Sequence, residues 1–183
     1  MVFQKMLALV TAAALSQACA GISVEHDFDP QADYAAYQSW DWLPSEGRRV
    51  DLRVRDPAIE GELREAIEGG LEAKGLRKVD SGEPTVRVGY RLVLDEGLES
   101  QVLYEPSGSD WGYRNYGPAR TMTHTGMLTV GTLVIDIFDT RRKELVWRGV
   151  AEGDVRPNQP PEKRRARINE AVRKILAEYP PGR

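Results

Sequence analysis

Residues 125–139 constrain the fold more than any other stretch. Leu133, Ile135 and Ile137 alternate onto one side of an extended chain, while Leu128, Val130, Val134 and Phe138 fall on the other. A strand apolar on both sides must be central or covered on both faces. The charged segment 139–143 then turns the chain, and Glu144–Val150 reads as a second strand, so the pair forms an antiparallel hairpin. Any fold for this chain has to be built outward from that hairpin.

Two helices are expected to pack against it. Asp56 and Pro57 form a helix start, an N-cap acid followed by proline at the first helical position. Ile59, Leu63, Ile67 and Leu71 recur every four residues as one apolar stripe. Glu60, Arg64 and Glu68 are spaced to pair along the wet face, and Gly75-Leu76 supplies a stop. Gly69 and Gly70 permit close approach of helix and sheet. The second helix follows Pro160-Pro161, carries Ile168, Ala171, Val172, Ile175, Leu176 and Tyr179 on one stripe, and ends at Pro180-Pro181.

Further strands are read at Ser23–Phe28, at Ser39–Leu43 and at Thr85–Leu94, where alternate residues are apolar. Trp40 and Trp42 share one face and are expected in the core. Val50, Leu52 and Val54 form at most a short strand, and Gln101–Tyr104 a pairing segment. The expected class is α+β: an antiparallel sheet of about four to six strands with two helices packed against it. At 183 residues, one domain is long enough to bury its own core.

The first residues read differently. Lys5 precedes a continuous apolar run, Met6–Leu15, and small residues follow. That is the layout of a signal peptide over residues 1–18, and it is too short to span a bilayer. Leu15-Ser16-Gln17-Ala18-Cys19 resembles a bacterial lipobox, although the family pattern has leucine where Ser16 stands. Cys19 is the sole cysteine of the chain, so no intramolecular disulfide exists and residues 19–183 hold together by packing. The expectation is a protein lipid-anchored at Cys19 on the periplasmic face of the outer membrane, Ala20 rather than Asp following the cysteine. The rival outcome is cleavage after Ala18 or Ala20, which releases a soluble periplasmic protein.

Phe28-Asp29-Pro30 with Tyr34 and the Ser39–Leu43 strand, the Gly131–Asp139 and Leu145–Gly149 hairpin, Ile168-Asn169, and Tyr179-Pro180-Pro181 together are similar to the bacterial envelope proteins grouped as domain of unknown function 4136. The resemblance spans nearly the whole of residues 19–183. It implies an α+β domain behind a lipoprotein leader, and it carries no activity to transfer.

The residue inventory points away from catalysis. His26 and His124 are the only histidines and share no ligand spacing with each other or with Cys19, so no metal site is expected. Ser107, Ser109 and Asp110 lack the setting of a nucleophile. Asp136 sits on a mostly apolar strand face and needs a partner, for which Arg87 or Arg148 is in reach; with Asp139 it reads as an ion pair or turn cap. No cofactor site is expected. The formal charge of −3, or −4 once Lys5 leaves with the leader, gives no reason to expect nucleic acid. Lys163, Arg164, Arg167 and Lys174 read as a solvated helix face.

The remaining candidate is a Gly- and aromatic-rich segment, residues 105–124, with Tyr104, Trp111, Tyr113 and Tyr116 as ligand or partner contacts. The expected function is a non-enzymatic interaction or structural module, held to the membrane by its N-terminal lipid and offering this segment to another envelope protein or a glycan. The alternative is a periplasmic small-ligand or glycan binder using the same aromatics.

Overall fold

A computed structural model describes residues 21–44, 48–50, 58–96, 129–156 and 159–182. Cys19 and the leader, Asp56-Pro57, and Tyr104, Trp111, Tyr113, Tyr116 and His124 lie outside the described residues, as does the Gln101–Tyr104 segment.

The expected hairpin is the centre of the sheet. Strand β6 (Thr129–Asp139) pairs antiparallel with β5 (Val86–Glu96) along its full length and with β7 (Glu144–Val155) on its other side. Lys143 closes the β6–β7 turn in the left-handed region at φ 53°, and its N–H bonds the Asp139 carbonyl at 2.8 Å. Near the turn the register shifts between Ile137 and Phe138: Ile137 lies opposite Trp147 and Phe138 opposite Leu145. Val146 is the extra residue of this bulge, and it joins Trp147 in the main core while Leu145 faces the other way.

Around this centre the strand order is β1-β7-β6-β5-β2-β4. Strand β1 (Ser23–Phe28) runs antiparallel to β7 at one edge. Strands β2 (Ser39–Trp42) and β3 (Arg48–Val50) pair in succession along the far edge of β5, and β4 (Arg77–Lys78) pairs with β2. These last pairings are all parallel. The sheet is therefore mixed, where the sequence reading had it antiparallel. The cause is helix α1 (Ala58–Ala73), which carries the chain from β3 back so that β4 and β5 start at the same end as β2.

Helices α1 and α2 (Pro161–Ala177) lie side by side on one sheet face. Leu63, Ile67 and Leu71 of the first and Val172, Ile175 and Leu176 of the second are buried there with Trp40, Val86, Val88, Tyr90, Ile135, Ile137 and Trp147. Tyr179, beyond the end of α2, is equally buried and meets Trp147 edge-on at 5.3 Å. The Gly75 stop forms as expected: at φ 86° it lets the Leu76 N–H reach the Leu71 carbonyl at 3.1 Å, and Leu76 is buried.

Gly70 serves the contact between the two helices rather than one between helix and sheet. A Cβ there would stand 2.5 Å from Leu176 Cδ1, whereas one at Gly69 would meet nothing within 4 Å. The close approach to the sheet is at Gly149, where a Cβ would fall 2.4 Å from both Ile175 and Trp147. On the opposite face Phe138, Leu43 and Leu145 make a smaller buried cluster, so β6 is apolar and covered on both sides.

Candidate functional site

Two clusters concentrate the charged chemistry of the described residues. The first lies on the sheet face away from the helices. Asp136 of β6 stands directly opposite Arg148 of β7, and both are buried. Arg148 Nε donates to Asp136 Oδ1 at 2.6 Å and Nη2 to Oδ2 at 3.1 Å, while Arg91 Nη2 reaches Oδ2 at 3.3 Å. Of the two partners expected for Asp136, Arg148 serves. Arg87 does not, because Asp41 stands directly opposite it on β2 and takes its guanidinium at 2.8 Å. Asp139 caps the turn, accepting from the Arg141 and Arg142 N–H groups at 2.9 Å and from the Tyr37 hydroxyl at 3.0 Å. Burial, then the bond to Asp139, pushes the Tyr37 hydroxyl well above the usual tyrosine range.

The second cluster was not singled out in the sequence. Trp40 and Trp42 do face the core together, edge-on at 5.0 Å, and Trp42 meets Tyr90 at 5.5 Å. The outer margin of Trp42 is ringed by charge. Arg64 of α1 lies 5.2 Å from its ring centroid, Arg48 of β3 5.9 Å and Lys78 of β4 6.0 Å. The Trp42 indole N–H donates to Glu68 at 3.0 Å, Lys78 pairs with the same oxygen at 2.7 Å, and the Tyr90 hydroxyl donates to Glu60 at 3.0 Å. Burial raises the Glu68 carboxyl, but the bonds from Lys78 and Trp42 outweigh it and hold the group below its ordinary value.

Among the described residues none of the expected ion pairs joins Arg64 to Glu60 or Glu68 within 4 Å, although its charge helps to hold the Glu68 carboxyl down. Its guanidinium covers an aromatic ring instead, a choice that helix spacing alone does not encode. Arg48 sat in a polar stretch with no periodicity, and only its adjacency to the Trp40–Trp42 strand was a hint.

Other candidates are dispersed. His26 Nδ1 lies 3.6 Å from Glu178 and its ring stacks on Phe28. The basic residues of α2 are not a uniformly solvated face: Arg164 holds buried Glu62 at 3.0 Å, Arg167 donates to the Asp154 carbonyl and Lys174 to that of Ile22. Among the described residues no three His, Cys, Asp or Glu side chains come close enough to hold a metal. No described helix is long and apolar enough to cross a membrane.

Mixed sheet, two helices on one face and charge-ringed sheet margin define a two-layer α+β domain. The chain belongs to the family described as domain of unknown function DUF4136, whose pattern matches residues 24–181. Among curated proteins nothing matches. Among solved structures, a PDZ domain protein from Parabacteroides distasonis superposes with a TM-score of 0.55 at 15% identity, covering 89% of this chain and 36% of that one. The chain therefore spans about a third of that protein, and the likeness is one of fold. A PelC dodecamer from Paraburkholderia phytofirmans gives a TM-score of 0.46 at 11% identity, over 86% of this chain and 95% of that one.

Proposed function

We propose that this protein is a non-enzymatic interaction module of the bacterial envelope, exported on residues 1–18, anchored by lipid on Cys19 at the periplasmic face of the outer membrane, and engaging another envelope protein or a glycan through Tyr104, Trp111, Tyr113 and Tyr116. The observation that carries this reading is the arrangement of chain ends in the sheet. Glu96 pairs with Thr129 and Thr129 with Val155, while Ser23, where the chain arrives from Cys19, pairs with Glu152 of the same strand. The roots of the aromatic segment and of the anchor therefore share one end of the domain. A tether there would keep the roots of the aromatic segment close to the lipid surface.

The buried acids favour a binding or structural role. Asp136 and Glu62 are each engaged by arginine, as scaffolding carboxylates are.

Mass spectrometry of the mature N-terminus tests the anchor. A diacylated cysteine is expected, and Cys19→Ser should leave the protein unprocessed or soluble; an unmodified, unprocessed native chain in the cytosol would overturn the reading. Crosslinking in intact cells followed by pull-down tests the contacts, with recovery expected to be lost on replacing Trp111, Tyr113 and Tyr116 by Ala.

A further inference from the structure

We infer that Arg48 of β3 and Arg64 of α1, whose guanidiniums lie 5.9 and 5.2 Å from the Trp42 ring centroid, form a binding site for an oxyanion, a phosphoryl or carboxyl group presented by a ligand. This inference rests on the described residues alone and does not depend on the lipid anchor.

Three observations carry it. First, the cations outnumber the acids. Arg48, Arg64 and Lys78 lie within about 6 Å of the Trp42 ring. Lys78 is spent on Glu68, and Glu60 accepts from the Tyr90 hydroxyl; neither arginine has a carboxylate within 4 Å among the described residues. Second, the Nε–H of Arg48 is buried and has no acceptor among the described residues; the Trp40 and Trp147 indole N–H groups and the Thr140 hydroxyl share that condition, but Arg48 is the one cation among them. A buried guanidinium donor left unpaired costs more than an ordinary lost hydrogen bond, and native proteins satisfy nearly all such groups. Third, the two guanidiniums are held before any ligand arrives. They rest on Trp42, which is itself locked edge-on to Trp40 and Tyr90 and bonded to Glu68.

Planar guanidinium forks match the oxygens of phosphate and carboxylate, so two of them on one aromatic platform favour an oxyanion over a halide. Among the described residues Glu60 is the one acid beside the site without a cationic partner, and its charge opposes the ligand. Removing that charge should tighten binding, a sign opposite to that of a merely structural acid.

The Trp42 indole N–H gives a direct readout. Titrating the full chain with millimolar inorganic phosphate at constant ionic strength should move that resonance in a saturable way, with sodium chloride producing no such change. Arg48→Gln and Arg64→Gln should each weaken the response about tenfold or more, the worth of a charge-assisted hydrogen bond. Glu60→Gln should strengthen it, and Lys163→Gln on α2 should leave it unchanged. Should a Gln variant not fold, Arg→Lys at the same position keeps the charge but not the fork, and still predicts weaker binding.

Vesicles of phosphatidylglycerol against phosphatidylcholine distinguish two sources of the group. Arginine-dependent cosedimentation with the former identifies a lipid headgroup; phosphate binding without cosedimentation identifies a soluble anion. Either supports the site. An equal response in the native chain and the Arg48→Gln/Arg64→Gln double variant, or no saturable response in the native chain, overturns it.

Discussion

Asp136 is an ionised side chain in the middle of the most apolar strand, and its neighbours determine what its removal does. With Arg148 bonded to both of its oxygens and Arg91 to one, Asp136→Ala takes away the principal counter-charge of a buried guanidinium. The expected loss is about 3–5 kcal/mol, read from the urea midpoint at unchanged slope. Replacing both members, Asp136→Leu with Arg148→Met, should recover most of it, because the paired desolvation cost disappears as well. Glu68 predicts a pH effect. Its folded-state carboxyl lies below the ordinary value of 4.5, so its contribution to stability is present above that pH and is lost as pH falls through the depressed folded value. Native chain should lose stability more steeply than Glu68→Gln over that acidic window, in melting curves taken at successive pH values. The need of Asp136 for an arginine could be read from an acid among Val134, Ile135 and Phe138. The second arginine and the Trp42 platform could not, since both arise from strands and a helix brought together across the sheet.

At the scale of elements, three glycines separate propensity from packing. Gly69→Ala in α1 meets open space and should stabilise by up to about 1 kcal/mol, the usual helix preference for alanine. Gly70→Ala gains the same preference but pushes on a Leu176 methyl, so the net change should be smaller or slightly negative. Gly149→Ala has no such outlet between Ile175 and Trp147 and should destabilise by about 1–3 kcal/mol. Calorimetric melting of the three variants checks the order. Both helices and the strands at β1, β2, β5, β6 and β7 were readable from period and capping signals, because the helices and the outer strands spend their apolar residues on regular stripes and β6 is apolar on both faces. The parallel pairing of β2, β3 and β4 was not. Strand direction is decided by where α1 returns the chain, and no single strand contains that information.

For the molecule as a whole, β1 closes the sheet against β7, which is far away in the chain. A chain beginning at Asp29 would leave the β7 edge open to pairing between molecules and should aggregate in light scattering. The family was accessible to sequence reading because several of its landmarks hold the sheet together: the Asp29 N–H bonds the Val146 carbonyl, and Trp40, Trp42, Ile135, Ile137 and Trp147 are buried. The oxyanion site left no comparable trace, being made of ordinary arginines whose meaning comes only from their convergence.

The full-length pairing of β5 with β6 has one last consequence. Because the ladder reaches Glu96 opposite Thr129, the sheet itself clamps the two ends of residues 97–128 at one strand spacing. Doubling the length of an insert held this way costs only about 0.6 kcal/mol of closure entropy. The domain is in effect a socket, able to accept inserts of different size and chemistry while its walls stay as they are, so relatives are expected to diverge in what they plug in long before they diverge in the frame that receives it.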